Sequence, residues 1–191
     1  MSDLEVLYEN LVKEKNLDYD ESQHNALKVL DNLKTHILNS FSTKKLRTLF
    51  GKLIFLKHSQ QKTFFHSGIY LYGGVGTGKT MIMNLFFQGL NITEKRRVHF
   101  HEFMHEFHQK TKKIRNNKHK DPIKKICDDI AKDIKLLCFD EFQIVDITDA
   151  MIVGRLFEEL INNGVIIITT SNFKTNELYK DGLNRKLFLP F

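Results

Sequence analysis

The chain lacks several features that would point to particular classes of protein. Its 191 residues contain no tryptophan and only two cysteines, Cys127 and Cys138. Two cysteines at this separation match neither a zinc-binding spacing nor a disulfide framework, so we expect reduced thiols of the kind found inside cells. No apolar run approaches the ~20 residues that cross a bilayer. We therefore expect neither a disulfide-rich secreted domain nor an integral membrane segment.

Signals for export and for domain linkage are also missing. The stretch Met1 to Glu5 is neither charged-then-apolar nor rich in arginine, so we expect a cytoplasmic location. No linker rich in glycine or proline divides the chain, and we find no internal repeat. The length is enough for one domain with a core of its own. We predict a helical region over residues 1–60 and an α/β core over residues 61–191.

Arginine is scarce although the chain is basic. The net charge is +6, yet most of the cations are lysines, and eight basic residues fall within 110–125. Arginine supplies the bidentate geometry that phosphate recognition uses, and no aromatic residue interleaves the charges of 110–125. We therefore do not expect nucleic-acid binding. The segment is predicted to be a helix end followed by a solvated loop that ends at Asp121–Pro122, with contact to an acidic partner or nucleic acid as the alternative.

Hydrophobic periodicity predicts an alternation of strands and helices. Helical spacing of apolar residues occurs at 4–15, 21–39, 43–58, 102–116 and 148–162. Short, nearly continuous apolar runs occur at 68–72, 97–101, 135–139 and 165–170. Strands of this kind, alternating with helices, are typical of a parallel sheet that is covered on both faces. We predict an α/β fold with an all-helical N-terminal lead-in.

One motif carries most of the functional information. It matches the phosphate-binding loop G-x-x-x-x-G-K-[ST] between a predicted strand and a predicted helix, and it consists of Gly73, Gly74, Val75, Gly76, Thr77, Gly78, Lys79 and Thr80. The glycines allow the backbone to approach phosphates closely, and the N–H groups form an anion cradle. Lys79 is expected to reach the β- and γ-phosphates, and the Thr80 hydroxyl to ligate Mg²⁺. The motif predicts binding of ATP with Mg²⁺.

Two carboxylates follow the apolar strand at 135–139. Asp140 and Glu141 emerge where that strand ends, at the edge of an open α/β sheet where ligands bind. We expect Asp140 to hold Mg²⁺ and Glu141 to orient and deprotonate the attacking water. A charged turn after a strand is common, so the prediction depends on the phosphate loop upstream.

Two further features allow more than one interpretation. Asn172 follows the last predicted strand, where it could either sense the γ-phosphate or cap the next turn. The string from His101 to His105 matches H-E-x-x-H, which binds zinc when both histidines lie on one helix. We expect His101 to end a strand, which disfavours zinc catalysis.

Six strings carry a resemblance to a known family. Taken in order, they lie at residues 68–76, 96–104, 138–142, 149–157, 170–172 and 178–185. These strings resemble the ZapE/AFG-like ATPase family of AAA+ proteins, from about residue 18 to the last residue. The resemblance implies an AAA+ core that hydrolyses ATP as a homo-oligomeric ring. It also implies a protein client. For bacterial members the client is the FtsZ division ring, and mitochondrial members act in quality control of inner-membrane proteins.

The resemblance also assigns roles to residues. It implies that Asn172 senses the γ-phosphate and that Arg185 is the arginine finger reaching into a neighbouring subunit. Such a finger is worth ~10³–10⁵ in rate in other phosphoryl-transfer systems. Arg155 is a second candidate for a role between subunits, unless its stem simply covers the helix surface.

The chain departs from the family pattern at its C-terminal end. Family members continue beyond Phe191, so we expect the fifth core strand, a second sensor arginine and the helical lid to be absent. On this expectation the isolated chain hydrolyses ATP poorly or not at all. The alternatives are a nucleotide-binding fragment without turnover and a helicase-loader-like ATPase that acts on nucleic acid.

Overall fold

The computed structural model describes residues 3–14, 18–49, 68–116, 121–180 and 182, with only the backbone described for residues 40–49. In chain order its elements are α1 (Asp3–Glu14), α2 (Glu21–Leu49), β1 (Gly68–Tyr72), α3 (Lys79–Gly89), β2 (Lys95–His99), α4 (Phe100–Asn116), α5 (Pro122–Asp133), β3 (Leu136–Asp140), α6 (Ile147–Asn162), β4 (Ile166–Ser171) and a 3-10 turn (Thr175–Glu177).

The chain divides into two compact units. The first contains α1, α2 and the residues of α3 from Thr80 onward; the second contains Lys79, the sheet and α4 to α6. The boundary expected between residues 60 and 61 lies outside the described residues and stays a prediction. None of the described helices is long and apolar enough to cross a membrane.

The first unit is built around a buried tyrosine. The Tyr8 hydroxyl donates to Gln23 Oε1 at 3.0 Å and accepts from the backbone N–H of Asp20 at 3.2 Å. Asp20 caps α2, because its Oδ1 accepts from the N–H groups of Ser22 and Gln23. These contacts tie the start of α2 to α1.

The helix α2 is longer than the periodicity predicted. Separate helices were expected at 21–39 and 43–58, but one helix continues from Glu21 to Leu49. The sequence at 40–42 contains neither glycine nor proline, so nothing in it interrupts the backbone hydrogen bonds. Residues 50–58 lie outside the described part of the chain.

The second unit contains a four-stranded sheet in the order β1-β4-β3-β2 with every neighbouring pair parallel. All residues of β3 are buried, and β4 is buried except at its first residue. The predicted α/β class with a parallel sheet flanked by helices is confirmed. In this order the carboxyl end of β4 lies between the ends of β1 and β3. The phosphate loop after β1 and the carboxylates after β3 therefore lie on either side of the end of β4.

Aromatic rings form much of the core beside the sheet. Phe139 of β3 stacks on Phe157 of α6 with ring centroids 5.7 Å apart, and Phe100 meets Phe139 edge-on at 5.6 Å.

Cys127 and Cys138 are free and buried, as expected of reduced thiols, and burial raises the pKa of each thiol to about 12. Neither thiol is therefore ionised near neutral pH.

Two boundaries differ from the sequence predictions. The strand expected at 97–101 lies at Lys95–His99, and α4 begins two residues earlier than expected, at Phe100. The loop expected within 110–125 was predicted to end at Asp121–Pro122, and the helix α5, for which no element was predicted, begins there. Asp121 caps it by accepting from the Lys124 N–H, and Pro122 occupies its first turn, where a missing N–H costs nothing.

We expect Gly68→Ala to destabilise the second unit strongly. Gly68 has a φ of 147°, and a Cβ there would lie 1.8 Å from the carbonyl oxygen of Ile167, with which it pairs in the sheet. The matched control is Gly164→Ala, because Gly164 also has a positive φ of 79° but a Cβ would meet nothing within 4 Å.

Urea unfolding should show a free-energy loss of about 1–2 kcal/mol for Gly164→Ala, which is the cost of the left-handed conformation alone. Gly68→Ala should lose at least about 2 kcal/mol more, because a backbone atom must move. Equal losses for the two variants would contradict the close approach of β1 to β4.

Candidate nucleotide-binding site

The phosphate loop connects β1 to α3 and takes the conformation that its glycines permit. Gly76 and Gly78 have φ values of 82° and 83°, in the left-handed region that other residues rarely adopt. A Cβ on Gly73 would lie 2.9 Å from Thr77 Oγ1. The backbone of this loop therefore depends on glycine at these positions.

The Lys79 ammonium is held against the loop itself. Its Nζ donates to the carbonyl oxygens of Gly73 at 2.8 Å and Gly74 at 2.6 Å, and lies 3.4 Å from Thr77 Oγ1. Partial burial lowers the pKa of Lys79 from its ordinary value. The Lys79 ammonium, which is expected to bind phosphate, thus lies at the loop that is expected to bind the same phosphate.

The two predicted carboxylates occupy different environments at the end of β3. Asp140 is the last residue of the strand and is 7% exposed, whereas Glu141 is exposed. Glu141 also has a φ of 53°, which is unusual for a residue with a Cβ and costs energy. The backbone therefore bends at Glu141, directly after the strand.

Thr170 of β4 stabilises this turn. Its Oγ1 accepts from the backbone N–H of Glu141 at 3.2 Å and donates to Asp140 Oδ1 at 3.5 Å. The N–H of Phe142 donates to the Thr170 carbonyl at 2.7 Å. One buried residue therefore contacts both carboxylate-bearing residues and the residue that follows them.

The next residue of β4 contacts the phosphate loop as well as the turn. The N–H of Gly73 donates to the Ser171 carbonyl at 3.2 Å, and the Ser171 hydroxyl donates to the Phe142 carbonyl at 2.6 Å. Phe142 in turn packs edge-on against Tyr70 of β1. The end of β4 thus connects the phosphate loop to the carboxylate turn.

Asn172 follows Ser171 directly and is exposed at this junction. The described contacts give the capping role to another residue, because Glu177 Oε2 accepts from the backbone N–H of Lys174 at 3.0 Å. Asn172 directly follows Ser171, whose hydrogen bonds reach both the phosphate loop and the carboxylate turn. Its role as a sensor stays a prediction.

Sequence reasoning missed a cation beside Asp140. Arg97 of β2 donates from Nε to Asp140 Oδ2 at 2.5 Å and from Nη2 to Asp140 Oδ1 at 3.0 Å. Because arginine is scarce in this chain, the sequence marks the few arginines as residues to examine. Only the register of β2 against β3 shows which of them reaches the Asp140 carboxylate.

The remaining sequence candidates have different outcomes. Arg185 lies outside the described residues, and Thr80 belongs to the first unit while the other described candidates belong to the second. Arg155 donates to the Asp121 carboxylate, so its guanidinium is engaged within its own chain.

The expectation that His101 ends a strand is wrong. Because α4 begins at Phe100, His101 and His105 lie on the same helix, as the zinc motif requires. His105 Nε2 is hydrogen-bonded to the Gln109 side chain at 2.8 Å. Among the residues that the structure describes, no group of three or more His, Cys, Asp or Glu side chains could hold a metal ion.

Comparison with known proteins supplies the family. The model of the AFG1-like ATPase family matches residues 3–191. The cell division protein ZapE of Escherichia coli K12 is 38% identical over 175 residues, which cover 90% of this chain and 46% of ZapE. Lactation elevated protein 1 homolog B of Danio rerio is 47% identical over 133 residues, 65% of this chain and 26% of that protein. The chain spans less than half the length of either relative.

Solved structures support the fold. The AMPPCP-bound DnaA of Aquifex aeolicus aligns with a TM-score of 0.52 at 16% identity, covering 92% of this chain and 47% of DnaA. DnaI aligns with a TM-score of 0.53 at 13% identity, covering 92% of this chain and 80% of DnaI. At these identities the likeness concerns the fold alone.

We expect Thr170→Val to destabilise the protein and Thr169→Val to leave it unchanged or more stable. Both threonines are 3% exposed on β4, but Thr169 Oγ1 has no hydrogen-bond partner among the described residues. Losing the Thr170 hydroxyl leaves the partly buried Glu141 N–H without its partner, at a cost of about 1–3 kcal/mol in the free energy of unfolding. Urea unfolding of the two variants measures the difference.

Equal effects of the two valine substitutions would contradict the assignment of the turn to Thr170. Because valine matches threonine in shape, a difference between neighbouring positions of one strand isolates the hydrogen bonds of the hydroxyl from the packing of the methyl group.

Proposed function

The chain belongs to the AFG1-like ATPase family, and on that premise we propose that it binds ATP with Mg²⁺ and hydrolyses ATP. One observation carries the proposal. The phosphate loop, with Lys79 on its carbonyls, is hydrogen-bonded through β4 to the turn that bears Asp140 and Glu141. These hydrogen bonds support an ATP-hydrolysing site formed by the phosphate loop and the carboxylate turn at one edge of the sheet.

The residues present fit a nucleotide and its metal ion. Two left-handed glycines shape the loop without side chains, which leaves room for phosphate, and the Lys79 ammonium supplies a cation there. The hydroxyl of Thr80 and the carboxylate of Asp140 are hard oxygen donors of the type that Mg²⁺ takes. When bound, Mg²⁺ neutralises charge on the β- and γ-phosphate oxygens during phosphoryl transfer.

We assign the remaining roles on the family resemblance together with position. Glu141 is the general base that deprotonates water, and its exposed side chain supports that role. Asn172 positions the water or senses the γ-phosphate. Arg185 acts in trans, in a homo-oligomeric ring, where it neutralises charge that develops on the transferred phosphoryl group.

The proposed client is a protein rather than a nucleic acid. The Escherichia coli relative is a cell division protein, and on that likeness we propose that this chain couples ATP hydrolysis to remodelling of a division protein of the FtsZ type, in the cytoplasm. The fold likeness to DnaA and DnaI does not favour nucleic acid, because it concerns the fold alone.

We expect Lys79→Ala and Glu141→Gln to separate binding from hydrolysis. Lys79→Ala removes the cation at the phosphate loop and should weaken ATP binding by at least about tenfold, or about 1.4 kcal/mol. Glu141→Gln should keep the affinity but lower turnover by about 10²-fold or more. Titration of a fluorescent ATP and steady-state phosphate release measure the two quantities. Lys112→Ala, at an exposed position of α4, is the control for removal of a lysine.

The outcomes separate the candidate functions. Turnover that requires Mg²⁺, disappears in Glu141→Gln and rises per chain with protein concentration supports a site completed between subunits. Binding without turnover in the native chain would instead identify a nucleotide-binding fragment. Absence of ATP binding in the native chain would refute the proposed function.

We expect the chain to co-sediment with FtsZ polymers in an ATP-dependent manner. Lys79→Ala should lose that dependence, and Glu141→Gln should increase the bound fraction, since a nucleotide that is bound but not hydrolysed prolongs the ATP state. Co-sedimentation that is absent, or that is equal with and without ATP, would leave the ATPase assignment intact and reject this client.

A further inference from the structure

The carboxylate of Asp140 is paired with a cation that the chain itself supplies. The Arg97 guanidinium contacts both carboxylate oxygens, with Nε 2.5 Å from Oδ2 and Nη2 3.0 Å from Oδ1. Two parallel N–H···O bonds of this kind are the strongest geometry available to arginine and carboxylate. The Thr170 hydroxyl also lies 3.5 Å from Oδ1.

Burial makes this pair more than a surface ion pair. The side chains of Arg97 and Asp140 are 18% and 10% exposed. A carboxylate with so little contact with water needs a nearby positive charge or it is strongly disfavoured in its ionised form. In the described structure, Arg97 provides that charge.

The register of the sheet explains why Arg97 reaches this carboxylate. Arg97 pairs with Cys138 across β2 and β3, and Asp140 lies two residues further along β3. Residues two apart on a strand point to the same face, so Arg97 and Asp140 share a face at the carboxyl edge. The length of the Arg97 side chain covers the distance along the strand from the level of Cys138 to that of Asp140.

We propose that Arg97 is a positioning residue that orients Asp140 and occupies the carboxylate oxygens that Mg²⁺ would otherwise take. The inference rests on the proposed function, because it takes Asp140 as a ligand of the metal. Loading of the metal then requires the Arg97–Asp140 pair to open at one oxygen or both. Arg97 thereby sets how strongly nucleotide binding at this site depends on Mg²⁺. When no metal is bound, its guanidinium balances the charge of the buried carboxylate.

The neighbouring arginine offers a matched control. Arg96 forms an ion pair of similar length, from Nη2 to Glu106 Oε1 at 2.6 Å, and its guanidinium lies 6.0 Å from the centre of the Phe103 ring. It comes from the same strand but contacts α4 rather than Asp140. Arg96→Met therefore removes an arginine and an ion pair without changing the cation at the proposed metal ligand.

The first experiment measures urea unfolding with EDTA and with saturating Mg²⁺, without nucleotide. We expect Arg97→Met to lower the unfolding midpoint in EDTA, and Mg²⁺ to restore a substantial part of that loss by supplying the missing charge. The native chain, Arg96→Met and the double variant Arg97→Met/Asp140→Asn should show no comparable recovery. A loss in Arg97→Met that is the same in EDTA and Mg²⁺ would overturn the inference and leave Arg97 a structural partner only.

The second experiment measures the affinity for a non-hydrolysable ATP analogue in EDTA and in Mg²⁺. The ratio of the two affinities is the coupling between metal and nucleotide, and we expect it to rise on the order of tenfold in Arg97→Met. An unchanged or smaller ratio would contradict the competition. If the native chain binds no nucleotide, the proposed function fails, while the unfolding experiment still decides the role of Arg97.

Arg97→Lys guards against a variant that does not fold. Lysine keeps the positive charge but lacks the planar fork, so it holds the carboxylate less firmly. We expect its recovery in Mg²⁺ and its coupling ratio to fall between those of the native chain and Arg97→Met. Values equal to the native chain in both measurements would reject the competition between Arg97 and the metal.

Discussion

The hydrogen bonds at the carboxyl end of β4 are the constraint on which the candidate site depends. Ser171 accepts from the phosphate loop at Gly73, and Thr170 accepts from the turn at Glu141 and Phe142. These two loops are distant in sequence. Because β4 lies between β1 and β3, two consecutive residues suffice to set the relative position of the phosphate loop and the carboxylates.

The aromatic core makes that arrangement rigid. Phe142 follows the carboxylate turn and packs against Tyr70 of β1 and Phe100 of α4, with ring centroids 6.1 Å and 4.5 Å apart. Phe139, just before Asp140, stacks on Phe157. Bulky rings therefore flank the two carboxylates in sequence and anchor the turn on both sides. A left-handed Glu141 is tolerated because its neighbours on either side are fixed by packing.

Charge is the second determinant of the site. The Lys79 ammonium donates to loop carbonyls and the Asp140 carboxylate accepts from the Arg97 guanidinium, so both groups already have polar partners within the chain. A buried charge without such a partner would cost several kcal/mol, which is comparable to the whole free energy of unfolding of a small domain. The same pairing that stabilises the described structure must be rearranged when phosphate and metal enter. Stability and ligand binding are thus connected through the same side chains.

The sequence by itself determined the features that depend on local pattern. Apolar strands alternating with helices specified a parallel α/β sheet, and the string from Gly73 to Thr80 specified a phosphate loop, since both arise from backbone periodicity and glycine conformation. Local signals were also overlooked, because Asp121 and Pro122 mark the start of α5 as plainly as any motif. Only the tertiary structure decided which strands are neighbours, that Thr170 rather than Thr169 serves the turn, and that Arg97 meets Asp140. Those contacts depend on the register between strands that are distant in sequence, such as Gly68 against Ile167 and Arg97 against Cys138, and spacing within one segment does not determine that register.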